Sequence, residues 1–288
     1  MVSKASLPVS SGTLYIVATP IGNLDDLSAR AARVLSEVNL IAAEDTRHSG
    51  RLLQHLGIDK PMWALHDHNE RDRATGLLDR VEKGESVALI SDAGTPLISD
   101  PGFVLVREAR ARGIPVSPVP GPCALVAALS AAGLPTDRFL FEGFLPAKAG
   151  ARAKALQALS RETATLVFYE SPRRIQDLVA ELATCFGPDR QVVLARELTK
   201  AFETFYSGTT GEVLEAIVGD ENSGKGEYVV MVAGAAPERT TDALVEADQV
   251  LRLLLPELPV KKAVRIAAEL TGGARNDLYQ RALKLKEQ

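Results

Sequence analysis

Twelve consecutive residues, Ser91-Asp92-Ala93-Gly94-Thr95-Pro96-Leu97-Ile98-Ser99-Asp100-Pro101-Gly102, combine two carboxylates, three hydroxyls, two glycines and two prolines. Asp92 and Asp100 can meet ligand hydroxyls, an amine or a helix N-terminus. Gly94 and Gly102 let the backbone approach a ligand where a Cβ would block it. Pro96 and Pro101 stiffen the loop, so that a pocket can exist before its ligand arrives. Part of the stretch has a simpler use, with Asp100 capping the following helix and Pro101 in its first position. Glu44-Asp45-Thr46-Arg47-His48 is a second concentration, and three charged residues with a histidine at a strand end suggest a functional loop. Glu170-Ser171-Pro172-Arg173-Arg174 is a third. There Ser171-Pro172 starts a helix and leaves two arginines in its first turn, where they oppose the helix dipole unless an anion is near. His66-Asp67-His68 looks like a metal site, but with four histidines in the chain and no third cluster a helix start capped by Asn69 is the better reading.

These residues sit where strands end. Apolar runs at 14–18, 39–43, 63–65, 87–90 and 116–119 read as strands, and helical patterns follow them. Asp25 or Asp26 is expected to cap the first helix, the second is expected over 49–56, and Gly113 should end the helix after the Asp92 loop. Pro120-Gly121-Pro122-Cys123 opens an Ala-rich helix over 124–132, whose free N–H groups and small side chains suit a closely packed ligand. Such alternation predicts a mostly parallel α/β sheet, which binds ligands at the carboxyl ends of its strands.

Gly133-Leu134-Pro135-Thr136-Asp137 interrupts the pattern. A second α/β unit is expected over 137–236, with strands at 139–145, 165–169 and 191–195 and antiparallel segments at 202–206 and 228–233. Residues 207–210 and 221–226 read as turns, and the basic, acid-free 146–154 stretch as a flap for a phosphodiester. From 237 onward three helices separated by Pro259 and by Gly272-Gly273 outline a helix-turn-helix. Residues 259–288 carry seven Lys/Arg against three Asp/Glu, although the chain as a whole has a net charge of −4. That asymmetry points to local contact with a polyanion. Residues 1–11 lack an apolar signal-peptide core and read as a loose leader ahead of the first domain, 12–136. Two cysteines without metal-like spacing fit a reducing cytoplasm, and no apolar run is long enough to span a membrane.

No dinucleotide fingerprint, P-loop or nucleophile elbow is present. Converging Pro/Gly loops with few covalent-catalysis candidates suit an adenosine-bearing small molecule that carries its own reactivity. Thr19-Pro20-Ile21-Gly22-Asn23-Leu24, Glu44-Asp45-Thr46-Arg47, Ser91 to Gly102 and Pro120-Gly121-Pro122-Cys123-Ala124 together resemble the class III, tetrapyrrole-methylase-type methyltransferases. Phe141-Glu142-Gly143-Phe144-Leu145-Pro146, Glu170 to Arg174 and Arg196-Glu197-Leu198-Thr199-Lys200 narrow the resemblance to members that methylate small-subunit ribosomal RNA.

The resemblance implies two α/β domains with a cofactor trough between them, plus the helical tail. It implies S-adenosylmethionine as cofactor and S-adenosylhomocysteine as product. Pro20, Asp92, Ile98, Ser99, Cys123, Ala124 and Ala195 then fall at cofactor-contacting positions. It also implies 2′-O-methylation of a cytidine ribose and a homodimer. Glu44, Asp45, Glu197 and Lys200 are the candidates to accept the hydroxyl proton, a lysine only if its pKa is depressed. Arg47, Arg173, Arg174 and Arg196 suit phosphate or carboxylate clamps, with Lys148, Arg152, Lys261, Lys262 and Arg265 along the RNA backbone. No metal is expected. A tetrapyrrole or other small-molecule methyltransferase on the same fold, and a non-enzymatic nucleotide-binding regulator, remain as alternatives.

Overall fold

The computed structural model describes residues 8–66, 69–236 and 241–286. Asp67 and His68 of the His66-Asp67-His68 trio, and residues 1–7 of the expected leader, lie outside them. Residues 8–11 are held in place: Val9 N donates to Glu37 Oε2 (3.2 Å) and Ser10 N to the Tyr15 hydroxyl (2.8 Å). The chain divides into one compact unit ending at Gly234 and a second beginning at Ala235.

The first unit opens with a parallel sheet of β1 (Leu14–Val17), β2 (Leu40–Ala43), β3 (Met62–Ala64), β4 (Val87–Ile90) and β5 (Val116–Val119), in the order β3-β2-β4-β1-β5. Helices α1 (Ala29–Glu37) and α2 (Thr46–His55) cover one face, and α3 (Glu70–Glu82) and α4 (Phe103–Ala111) the other. Both faces are therefore apolar: Leu14, Leu40, Val87 and Leu89 point to one core, and Tyr15, Val17, Ile41 and Ile90 to the other.

Helix starts differ from expectation at several places. Ser28 caps α1 through its hydroxyl, while Asp25 and Asp26 lie in a short 3₁₀ turn capped by Asn23. Asp45 caps α2, so that helix begins at Thr46 rather than at 49. Asn69 occupies the start of α3, but its side chain accepts from His66 N and donates to Ala64 O instead of capping. Gly102, at φ +129°, precedes α4 in the place expected of Asp100 and Pro101. A Cβ at Gly102 would stand 2.7 Å from Leu89 Cδ2, so the tight backbone there excludes a side-chain cap.

The second sheet, β6 (Phe139–Phe144), β7 (Thr165–Glu170), β8 (Gln191–Arg196), β9 (Thr204–Thr209) and β10 (Tyr228–Val232), runs β6-β7-β10-β8-β9. Only β6 and β7 are parallel; β10 is antiparallel to both neighbours, and β9 to β8. Period-two alternation splits β7, β8 and β10. Leu166, Phe168, Leu194 and Val230 face a core formed with α6 (Ala149–Leu159), α7 (Ile175–Phe186) and α8 (Thr210–Gly219). Val167, Val193, Ala195 and Val229 face α5 (Ala124–Ala132), the helix that leaves the first sheet. An Ala-rich helix apolar all round thus joins the two sheets, and its first residues sit between them.

Sequence reasoning did not find α8. Residues 207–209 end β9, and Thr209 forms a capping box with Glu212. Ser171 to Arg174 is a turn, with α7 starting at Ile175. The second unit holds α9 (Thr241–Leu254), α10 (Val260–Thr271) and α11 (Arg275–Lys286) around Leu251, Ala263, Ala267, Leu278 and Ala282. Gly272, left-handed at φ +68°, ends α10. The expected α/β class with two sheets and a helical C-terminal region is what the chain adopts. Among the described residues no helix is long and apolar enough to cross a membrane.

Candidate active site between the two sheets

The 91–102 loop is fastened to the three other strand-end loops. Thr19 and Gly94 exchange two backbone hydrogen bonds (2.8 and 3.1 Å), and the Thr19 hydroxyl donates to Ser91 O (3.1 Å). Asp45 N donates to Asp92 Oδ1 (3.1 Å), which joins the β2 loop. Thr95 Oγ1 donates to Pro122 O (2.9 Å), which joins the β5 loop. Loops after β1, β2, β4 and β5 therefore form one rim.

Four non-glycine residues among those described have positive φ: Leu97, Ser99, Glu197 and Thr199, at 73°, 66°, 52° and 64°. Each such conformation costs about 1–3 kcal/mol and persists where the surroundings over-determine it, commonly at ligand sites. Two lie in the 91–102 loop and two in the turn after β8. Both segments border the same cavity of about 480 Å³.

Ile21, Glu44, Asp92, Thr95, Ile98, Ser99, Asp100, Cys123 and Ala124 line the cavity from the first sheet, and Phe144, Tyr169, Glu170, Ala195, Glu197, Lys200, Glu227 and Val229 from the second. Of the expected cofactor positions, Asp92, Ile98, Ser99, Cys123, Ala124 and Ala195 are on this wall. Pro20 is not, and its neighbour Ile21 takes that place. Tyr169 escaped sequence reasoning. Its hydroxyl accepts from Leu125 N at the start of α5 (3.1 Å), and its ring meets Phe141 and Phe144 edge-on at 4.9 and 5.6 Å. Burial pushes its phenol well above the ordinary value, so it stays protonated.

The four proton-acceptor candidates separate. Asp45 is outside the cavity wall, and the Arg47 guanidinium holds its carboxyl down at about 2, too acidic to take a proton efficiently. Lys200 Nζ donates to Glu197 Oε1 (2.8 Å) and Glu227 Oε2 (3.0 Å). Burial alone would depress the amine, but the two carboxylates outweigh it and raise it above the usual lysine value. Lys200 is thus a cation at neutral pH and no base. Glu44 and Glu197 remain on the wall. Glu197 Oε1 also accepts from Glu227 N (3.1 Å), while its Oε2 carries no hydrogen bond among the described residues. Glu227, a cross-strand partner 30 residues away in sequence, was not anticipated.

The matches to known proteins accord with this arrangement. Residues 13–214 match the family described as Tetrapyrrole (Corrin/Porphyrin) Methylases, and residues 241–286 the RsmI C-terminal HTH domain. A Pseudomonas aeruginosa protein named Ribosomal RNA small subunit methyltransferase I is 59% identical over 277 residues, spanning 96% of this chain and 98% of its own. Its Escherichia coli O157:H7 namesake is 54% identical over 275 residues, 96% of each chain. The chain belongs to the ribosomal RNA small subunit methyltransferase I family. Solved structures share the fold of these methyltransferases. Uroporphyrin-III-C-methyltransferase from Thermus thermophilus aligns with TM-score 0.55 at 22% identity, over 77% of this chain and 94% of that one. The methyltransferase CobJ aligns with TM-score 0.57 at 21% identity, over 80% and 97%.

The cavity suits the S-adenosylmethionine of a methyltransferase family. Its volume falls in the ~300–1,000 Å³ range of small-molecule sites, and it has the usual mix of apolar wall and a few polar groups. Small residues at 123 and 124 leave room for a ligand against the start of α5, and Gly121 lets the loop before that helix pack directly on Ala18, where a Cβ would lie 2.9 Å from the alanine side chain.

The arginines expected to clamp RNA divide for reasons only the fold supplies. Arg152 is buried and forks onto Glu181 of α7 with two 2.7 Å bonds, so 146–154 is a docked helix start and not a flap. Arg174 pairs with the buried Glu170 (3.0 Å) and donates to Leu145 O (2.9 Å). Arg196 is buried against Asp220 (3.1 Å) and Tyr206. These three are withdrawn from the RNA-binding set. Arg47, Lys148, Arg173, Lys261, Lys262 and Arg265 are exposed. Arg152→Met is expected to lower stability by about 1.5–3 kcal/mol by stranding Glu181, with unchanged KM for RNA. Urea unfolding and steady-state kinetics check this; a raised KM at unaltered stability contradicts it.

Proposed function

We propose that this protein transfers a methyl group from S-adenosylmethionine to the 2′-hydroxyl of a cytidine in small-subunit ribosomal RNA. Methyltransferase chemistry follows from family membership; the acceptor atom and nucleotide are our reading. The observation that carries it is the Glu197 carboxylate, with one oxygen anchored and the other open, on the wall shared with the strained Asp92 loop. When bound, the cofactor supplies a sulfonium-activated methyl, so alignment of donor and acceptor provides much of the acceleration.

Asp92, Ile98, Ser99, Cys123, Ala124 and Ala195 hold the cofactor, with Tyr169 beside it. Glu197 Oε2 receives the hydroxyl proton as the ribose oxygen becomes nucleophilic. Lys200 fixes the carboxylate and adds a positive charge near an RNA phosphate. Lys148 and Arg173, and on the second unit Lys261, Lys262 and Arg265, supply cations for the RNA backbone. A cytoplasmic homodimer acting on naked RNA or on the assembled small subunit completes the reading.

Tritium transfer from labelled cofactor into both substrates tests it, followed by digestion to nucleosides. Label in 2′-O-methylcytidine is expected. Label on a base, or only in a tetrapyrrole acceptor, overturns the acceptor assignment, and cofactor binding without any turnover overturns the enzymatic reading.

A further inference from the structure

Helix α2, Thr46–His55, contains no acidic residue in a chain of net charge −4. Its buried side is Ser49 and Leu53; its solvent side presents Arg47, His48, Arg51 and His55. Residues 47, 51 and 55 follow one another at helical i, i+4 spacing, so they form a single row about 12 Å long. The row begins at the cavity. Glu44, two residues before the helix, is on its wall, and Asp45 N is bonded to Asp92.

Little in the fold accounts for these side chains. Arg152, Arg174 and Arg196 each neutralise a carboxylate brought in by another element. Arg51, His48 and His55 have no ion-pair partner among the described residues, and Arg47, paired with its own cap Asp45, keeps 89% of its side chain exposed. In the first turn Asp45 offsets the unfavourable placement of Arg47 against the helix dipole, and His55 in the last turn suits that dipole, whereas Arg51 in mid-helix has no such internal use.

We infer that the solvent face of α2 is a track for the phosphate backbone of the single-stranded RNA flanking the nucleotide in the cavity. This rests on the RNA-methylating reading above. Arg47 and Arg51 supply permanent charge and forked donors for phosphate oxygens. The histidines add hydrogen-bonding groups between and beyond them. The direction of the row makes it a path leading away from the site of chemistry and not part of the cofactor pocket.

The test uses the full-length protein, a fluorescein-labelled single-stranded oligoribonucleotide and a potassium chloride series read by anisotropy. Arg51→Glu/His55→Glu is expected to weaken binding by about tenfold or more and to reduce the slope of log affinity against log salt by about 1, as the Arg51 contact to phosphate is lost. Arg51→Lys/His55→Lys should retain affinity, and calorimetry with S-adenosylhomocysteine should give the wild-type Kd for both variants, showing an intact fold. Unchanged affinity and slope in the Glu variant overturn the track, as does equal loss in the Lys variant or no binding by the wild type. Tritium transfer measured in parallel separates the two claims. Methylation without dependence on α2 rejects the track alone. Oligonucleotide binding that depends on α2, with no label entering RNA, rejects the methylation reading and leaves the track standing.

Discussion

Replacing Glu197 by Gln is expected to lower kcat by about 10²–10⁴-fold and leave S-adenosylhomocysteine binding at its wild-type strength. The amide keeps an oxygen for Lys200 Nζ and Glu227 N, so the turn and its left-handed residues are preserved. Only the capacity to take a proton is lost. Glycine at 226 makes room for this side chain, because an added Cβ there would stand 2.6 Å from Glu197 Cδ and Oε1. Single-turnover methyl transfer with calorimetric Kd measurement decides the matter. A variant with near wild-type kcat assigns the proton to another group, with Glu44 the remaining candidate on the wall.

Asp92→Ala should raise the Kd for S-adenosylhomocysteine by about 10–100-fold, equivalent to about 1.4–2.8 kcal/mol, the scale of a hydrogen bond to a charged group. Two functions are removed together. Asp92 presents a carboxylate to the cavity, and its Oδ1 accepts from Asp45 N, tying the β4 loop to the start of α2. Asp92→Asn separates them, because the amide oxygen still accepts from Asp45 N while the charge is gone. If the Asn variant binds as weakly as the Ala variant, the charge is what the ligand senses. If it binds like wild type, the loop tie is the main contribution. Unaltered binding in both variants removes Asp92 from the cofactor site.

Much of this site is legible in the amino-acid sequence. Apolar runs ending in Gly, Pro, Asp and Thr mark the loops after four strands of the first sheet, and all four loops contribute to one cavity. The buried, antiparallel β10 was readable from an unbroken apolar run, and the joining helix α5 from its alanines. Errors of local detail came from competing caps. Asp25, Asp26, Ser28 and Asn23 are all good N-cap residues within six positions, and local preference alone does not choose among them. Helix α8 was hidden by Gly208-Thr209-Thr210, which resembles a turn and is a capping box.

By itself the amino-acid order determined the α/β class, the placement of loops at strand ends and the family, because hydrophobic period, Gly/Pro punctuation and short motifs are local properties of a chain. Tertiary structure alone decided which charged side chains are available. Arg152 meets Glu181 29 residues later, Arg196 meets Asp220 24 residues later, and Lys200 meets Glu227 27 residues later. Whether an arginine faces RNA or a buried carboxylate, and whether a lysine is a base or a cation, depends on the charge that folding places within a few ångströms of it.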